Sequence, residues 1–251
     1  NLPVSSVYAV EIDPTNEDIV YFSGAGTLYK SIDGGATHTD IGLGEFSSGI
    51  NIKEIMIHNG KLWVASDQGL YYSTNNGSSF TEEESGSWLE MEVHPTNDQV
   101  LYAVLVNSTT TSFFKSTNNG SSFTAIGNGW PSPESGDEQK RTEIAVSAAS
   151  PNKVVALATG SANGGSGLYG VYVSEDQGAN WEFKCCGAQP GGAATSSNIN
   201  MMGWSDAGTD DGGQYYYDLA LAVNPLDADV IHVAGVQHWI STDGGDTFTC
   251  P

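Results

Sequence analysis

The sequence predicts an all-β fold, a β-propeller of four-stranded antiparallel blades with about five blades present. The first observation behind this is a phrase written five times: a Ser, an Asp or Asn two residues on, a Gly two further, and usually an aromatic three beyond that. The copies are Ser31-Ile-Asp33-Gly-Gly35-Ala-Thr-His38, Ser73-Thr-Asn75-Asn-Gly77-Ser-Ser-Phe80, Ser116-Thr-Asn118-Asn-Gly120-Ser-Ser-Phe123, Ser174-Glu-Asp176-Gln-Gly178-Ala-Asn-Trp181 and Ser241-Thr-Asp243-Gly-Gly245-Asp-Thr-Phe248. The second is spacing: positions 33, 75, 118, 176 and 243 lie 42, 43, 58 and 67 residues apart, near the ~40–45-residue period of propeller blades. The third is composition. With 31 Gly, 39% hydrophobic and only 15% charged residues, and no apolar stretch of helical period, the chain reads as turn-rich β structure with little helix.

Each phrase is preceded by two β-like runs and followed by a third. The first two strands of each blade are expected at Val7 to Ile12 and Ile19 to Ser23, Ile52 to Ile57 and Leu62 to Ala65, Leu89 to Val93 and Val100 to Val106, Glu143 to Val146 and Val154 to Thr159, and Tyr216 to Val223 and Val230 to Ala234. In the last copy His238 to Ser241 leads into the turn. Asp13-Pro14, Asn59-Gly60, His94-Pro95, Ser150-Pro151 and Asn224-Pro225 punctuate the first hairpin of each blade, where Pro and Gly break strands. The phrase itself is the hairpin between third and fourth strands. Its Asx side chain accepts turn amides, its Gly supplies positive φ, and its Ser adds a hydroxyl to the same network. Asp33, Asn75, Asn118, Asp176 and Asp243 are therefore read as structural.

The chain is thus one propeller domain or propeller fragment over 1–251, with blades at about 4–42, 50–85, 87–126, 141–186 and 215–251. Insertion loops fall at 127–140 and 187–214, each joining an outer strand to the next inner strand. In an up-down-up-down blade that connection lies opposite the repeated turn. The long loops are expected on the far face, where loops on a rigid scaffold commonly carry function.

Thirty acidic against eight basic residues give a formal charge of −22, which repels nucleic-acid phosphates and anionic lipid. Nucleic acid is excluded as a natural partner, and no apolar run of ~18 residues predicts membrane insertion. The acidic balance suits a soluble secreted protein, cation binding or a salty milieu without choosing among them, and the chain begins as if processed or excised. Three cysteines make no zinc pattern. In an oxidising compartment Cys185 or Cys186 could bridge to Cys250, provided adjacent outer strands bring them within the ~7 Å Cα limit.

The five phrases resemble the Asp-box (BNR) repeats of sialidase-type propellers. Their combination with the hydrophobic second-strand entries is similar to the sortilin and xyloglucanase branch, and the run Tyr217-Asp218-Leu-Ala-Leu-Ala-Val-Asn-Pro225 resembles secreted Asp-box proteins of Bacteroidota-like bacteria. The resemblance implies an Asp-box that is structural and sits away from the functional face. It also implies a ring of seven or ten blades, so the five present are either a closed five-bladed ring or part of a larger propeller with further blades or domains. Sialidases of this fold hold a substrate carboxylate with three arginines, whereas this chain has Arg141 alone, which disfavours an ordinary sialidase.

Candidate chemistry falls beside the insertions. Glu143 and Asp218 are read as opening the inner strands of the fourth and fifth blades, where paired carboxylates could hydrolyse a glycosidic bond as acid and base or nucleophile. Trp130, Trp204, Tyr215, Tyr216 and Tyr217 could stack on sugar rings or anchor a protein, or pack in the core. Asp206, Asp210 and Asp211 form a candidate Ca²⁺ site, although their spacing departs from the usual calcium loop; no other cofactor is called for. The expected function is a secreted or cell-surface module that binds glycan or protein through the long-loop face. A polysaccharide-degrading hydrolase and a purely architectural propeller in a surface assembly are the alternatives.

Overall fold

The computed structural model describes residues 6–216 and 218–251. It places five antiparallel sheets in chain order, each a meander. The first blade holds β1 (Val10–Ile12), β2 (Val20–Gly24), β3 (Thr27–Ser31) and β4 (Thr39–Asp40); the second holds β5 (Ile52–His58), β6 (Lys61–Ser66), β7 (Gly69–Ser73) and β8 (Thr81–Ser85). The third comprises β9 (Ser87–Val93), β10 (Leu101–Asn107), β11 (Thr110–Ser116) and β12 (Thr124–Ile126), and the fourth β13 (Glu138–Val146), β14 (Val154–Ala162), β15 (Gly165–Ser174) and β16 (Glu182–Cys185). The fifth has β17 (Ala220–Val223), β18 (Ile231–Ala234) and β19 (His238–Ser241), with an isolated bridge from Ile240 to Thr249 where a fourth strand is expected. Among the described residues there is no helix.

The chain divides into two compact units, Asn1–Met91 and Glu92–Pro251. In the first, Tyr21, Leu28, Ile50, Ile52, Ile55, Leu62 and Val64 form a buried cluster between two blades, and inner strands β1 and β5 adjoin. In the second, the largest cluster joins Val155, Leu157, Val171 and Val173 of the fourth blade to Ile231, Val233 and Trp239 of the fifth. Inner strands β13 and β17 adjoin there. Alternation explains both clusters, because every second strand residue points at one neighbouring blade.

One hydrogen-bond network recurs in all five turns and accounts for their spelling. The Ser Oγ donates to the Asx Oδ1 at 2.7–2.9 Å and accepts from the Gly amide four residues on. The same Oδ1 accepts the amide of Thr37, Ser79, Ser122, Asn180 or Thr247. The remaining Asx atom is matched in polarity. An Asp oxygen accepts from the side chains of Thr37, Asn180 and Thr247, while an Asn nitrogen donates to the hydroxyls of Ser79 and Ser122. Hydrogen bonds from Thr37 and Ser31 hold the Asp33 carboxyl down at about 2. Gly178 is required twice over: its φ is +84°, and a Cβ there would meet the Phe113 ring at 2.1 Å.

Ser174 is fully buried, so its replacement should expose the value of this network. Ser174→Ala leaves the amides of Asp176 and Gly178 without their acceptor, which costs roughly 1–3 kcal/mol. Thermal denaturation should show Tm lowered by about 2–10 °C, and an unchanged Tm would mean the hydroxyl is dispensable.

The cysteines depart from expectation. Cys185 and Cys186 are bonded to each other across a cis peptide, so neither sulfur is left for Cys250, which is free and lies with its Sγ 4.0 Å from Gln237 Oε1. The strand extents also differ around the insertions. β13 begins at Glu138, so the last three residues of the expected loop 127–140 are strand, and Glu143 stands inside β13 rather than opening it. β17 begins only at Ala220, and Asp218 precedes it.

Candidate functional site

Within the unit Glu92–Pro251, the second insertion is folded around one buried side chain. Asn200 donates from Nδ2 to the carbonyls of Ser166, Asp210 and Gly212, and its Oδ1 accepts the amides of Leu168 and Met202. These bonds tie the loop to the β14–β15 hairpin. Gly191 and Gly192 add backbone bonds to Tyr169 and Ala162 on the same hairpin. Asn200→Ala should strand several buried partners at ~1–3 kcal/mol each; limited proteolysis is expected to cut within 187–214 while the rest of the chain stays folded. Cleavage no faster than in the wild type would remove Asn200 as the organiser.

Trp204 is presented by that loop. Its amide and that of Ser205 donate to Asp210 Oδ2 (2.7 and 2.6 Å), and its carbonyl accepts from Gln237 Nε2 (2.8 Å). The Gln214 amide takes the indole N–H on its oxygen at 3.1 Å and gives its own N–H to Asp218 Oδ2 at 3.0 Å. With backbone and ring nitrogen all held, the indole is still 52% exposed. Two residues beyond Gln214, Tyr216 is 55% exposed and stacks on buried Tyr215, ring centroids 4.2 Å apart. The Tyr215 hydroxyl donates to that of Tyr216 at 2.8 Å, and burial, with this contact, pushes its pKa up to about 12. Tyr217 lies outside the described residues.

Each of the two inner-strand carboxylates has a hydrogen-bond partner of its own. Arg141 grips Glu143 Oε1 with Nε and Nη2, both at 2.8 Å, and extends Nη1 to the Tyr216 carbonyl (3.2 Å) and Nη2 toward that of Leu219 (3.5 Å). A planar guanidinium thereby joins β13 to the segment carrying Tyr216. Asp218 instead takes the Gln214 amide, so Glu143 and Asp218 each have a separate partner. Glu92, which carried no sequence signal beyond its alternating strand, sits on β9 within the electrostatic reach of Glu143. It keeps some accessible surface but is crowded by protein on nearly all sides, and this desolvation, together with the Glu143 charge, raises its pKa to about 7.

Trp130 is placed apart from this group. Its ring packs at 5.3 Å from Phe113 and 4.8 Å from Trp181, and its Nε1 donates to Thr111. The first insertion also begins beside a repeated turn rather than opposite it, Asn128 bridging to Asn180. Asp206, Asp210 and Asp211 do not converge: among the described residues no three His, Cys, Asp or Glu side chains gather as metal ligands, and Asp210 is occupied by amides.

The unit Asn1–Met91 has its own cavity of about 470 Å³, lined by Asp13, Thr15, His58, Asn59, Lys61 and Asn76 among others. Its volume suits a small ligand. However, its aromatic wall, Tyr21, is only 1% exposed, and Asp13 is taken up by the Thr15 amide and hydroxyl.

No family model matches the sequence, and no curated protein does. Solved structures do. The GH74 xyloglucanase from Xanthomonas campestris matches 94% of this chain and 36% of its own length at 16% identity, TM-score 0.68. An ancestral GH74 enzyme matches 95% and 28% at 18% identity, TM-score 0.63. YCF48 from Cyanidioschyzon merolae matches 100% and 86% at 13% identity, TM-score 0.53. The chain therefore spans about a third of these GH74 enzymes, and at such identities the likeness establishes architecture alone: the protein is an all-β propeller of about five blades.

Proposed function

We propose that this chain is part of a secreted or surface-exposed Asp-box propeller that binds glycan through the second insertion. The observation that carries the reading is the Trp204 indole, fixed at backbone and ring nitrogen yet half exposed, with the Tyr216 ring linked to it through the short Gln214–Tyr216 segment. A sugar presents apolar C–H faces and hydroxyls. Rigid aromatic faces match the first at low entropic cost, and Asp218 and the Tyr216 hydroxyl supply acceptors for the second. The xyloglucanase among the structural neighbours agrees with a polysaccharide as ligand. The test is affinity electrophoresis and calorimetry against neutral plant and algal polysaccharides. Retardation by at least one is expected; no binding to any, together with binding to a protein partner, would replace the reading.

A second reading, glycosidic bond hydrolysis, is favoured by one specific contrast. Glu92 holds a proton near neutrality while Glu143 faces the Arg141 guanidinium, and carboxyl groups with opposed environments are the requirement for acid and base roles. In such a step Glu92 would protonate the leaving oxygen, and the Glu143 carboxylate would activate water or attack the anomeric carbon. Release of reducing ends from a bound polysaccharide is the measurement.

A further inference from the structure

The second blade lacks a piece that the other four have. Seven residues join the first two strands in the first, third, fourth and fifth blades, at 13–19, 94–100, 147–153 and 224–230. β5 and β6 are joined by Asn59-Gly60 alone, both at positive φ (48° and 72°), the turn of a tight hairpin. The longer hairpins do more than reverse the chain. The carbonyls of Asp18, Gln99, Asn152 and Asp229 accept the amides of Gly34, Asn119, Gln177 and Gly244 at 2.8–3.0 Å, in each case the residue after the Asx in that blade's repeated turn. The corresponding amide of the second blade, that of Asn76, has no partner among the described residues.

Asn59, Gly60 and Asn76 line the cavity of about 470 Å³, and Asp13 and Tyr21 of the first blade close its other side. Both blades lie in one compact unit, Asn1–Met91. At the wall, Lys30 of the first blade gives one N–H to the Asn76 carbonyl at 3.0 Å and stands over the Tyr21 ring. Its other N–H groups have no partner among the described residues. Desolvation lowers its pKa and the Asp13 charge only opposes that, so the ammonium is short of a counter-ion. Lys61, also in the wall, has its ammonium over the Trp63 and Tyr72 rings at 4.9 and 4.6 Å. Between the fourth and fifth blades the equivalent position is filled. There Asp229 gives its carbonyl to Gly244 and its carboxylate to Lys153 of the preceding blade at 2.7 Å. Between the first and second blades both receivers are present, an amide and an ammonium of the preceding blade, and the residue that would answer them is missing.

We propose that this cavity binds a turn of another polypeptide, a Pro-x-Asp-x-Asp segment whose main-chain carbonyl accepts the Asn76 N–H and whose aspartate pairs with Lys30. The class of ligand follows from what the other blades put there. A carbonyl and a carboxylate on one residue is the pattern of Asp229, and a charge-assisted contact is the stronger kind of hydrogen bond. A sugar is the poorer occupant, because Tyr21 is 1% exposed and offers no ring face for stacking.

The probe is the acetylated and amidated peptide Asn-Pro-Leu-Asp-Ala-Asp-Val, a copy of residues 224–230, titrated into the whole chain and followed by the protein's amide resonances. Saturable binding with a Kd on the order of 0.1–1 mM is expected, since a short peptide is ordered as it binds, with the Asn76 amide among those that shift. Asn in place of the peptide's second Asp should weaken binding about 5-fold, as should Lys30→Met in the protein, the value of one partly exposed ion pair. Made together, the two changes should cost no more than either alone. Replacing Asn59-Gly60 with the first blade's Asp-Pro-Thr-Asn-Glu-Asp-Ile should fill the cavity from within and abolish binding without lowering Tm; should that chain melt early, the two single changes and their combination decide. Trp204→Ala should bind the peptide as the wild type does, which separates this result from the glycan reading. No saturation in the millimolar range, additive losses from the two changes, or undiminished binding by a stably folded grafted chain overturns the proposal.

Discussion

Replacing Trp204 with alanine is expected to weaken polysaccharide binding roughly 10- to 100-fold, the ~1.4–3 kcal/mol that a central aromatic anchor carries, while leaving thermal stability within about 0.5 kcal/mol. The split follows from where the energy resides. Half of the Trp204 surface faces solvent, so truncation removes little from the core. It does remove the face that a sugar ring would cover. Trp130→Ala should show the reverse. That ring is wedged among Phe113 and Trp181, so its loss costs ~3–5 kcal/mol of stability without a specific effect on binding. Calorimetric titration and thermal melting on both variants decide the matter. Equal binding loss in the two would assign the effect to general destabilisation and dismiss Trp204 as the platform.

The largest pH effect should belong to Glu92. Its folded-state pKa is raised, by burial first and by the Glu143 charge, from the ordinary 4.5 to about 7. The folded protein thus binds the proton more tightly than the unfolded chain does. The stability associated with that proton is fully present below about 4.5 and is lost as pH rises through about 7, on the order of 3 kcal/mol between those limits. In Glu92→Gln the amide stays neutral, so this component should vanish. Denaturant unfolding at pH 5 and pH 8 should show the wild type losing stability relative to the variant, with the change shifted to lower pH in Glu143→Gln. If the wild type and Glu92→Gln follow the same pH dependence, Glu92 is not held protonated and the hydrolytic reading falls with it. Where hydrolysis is found, it should disappear in Glu92→Gln.

The architecture was legible because its signals are local. Ser, Asx and Gly at fixed offsets prescribe one turn, and each turn closes its network within seven residues, as Ser31, Asp33, Gly35 and Thr37 do. Strand alternation and the Pro or Gly breakers are local as well, so His238 to Ser241 was placed to the residue. Errors gathered where the repeat is interrupted. The insertion 127–140 has no period, so nothing marked Glu138 as the start of β13, and that shift moved Glu143 from a strand opening to its interior.

The sequence by itself determined the blade count, the repeated turns and the loops in which function should be sought, since each rests on bonds between near neighbours. Only the tertiary structure decided which side chains those loops bring together. Asn200 collects partners from 166 to 212, Arg141 reaches 75 residues to Tyr216, and Glu92 acquires its proton affinity from crowding and from a charge on another blade. Desolvation and long-range pairing depend on packing between strands, and spacing along the chain carries no record of either.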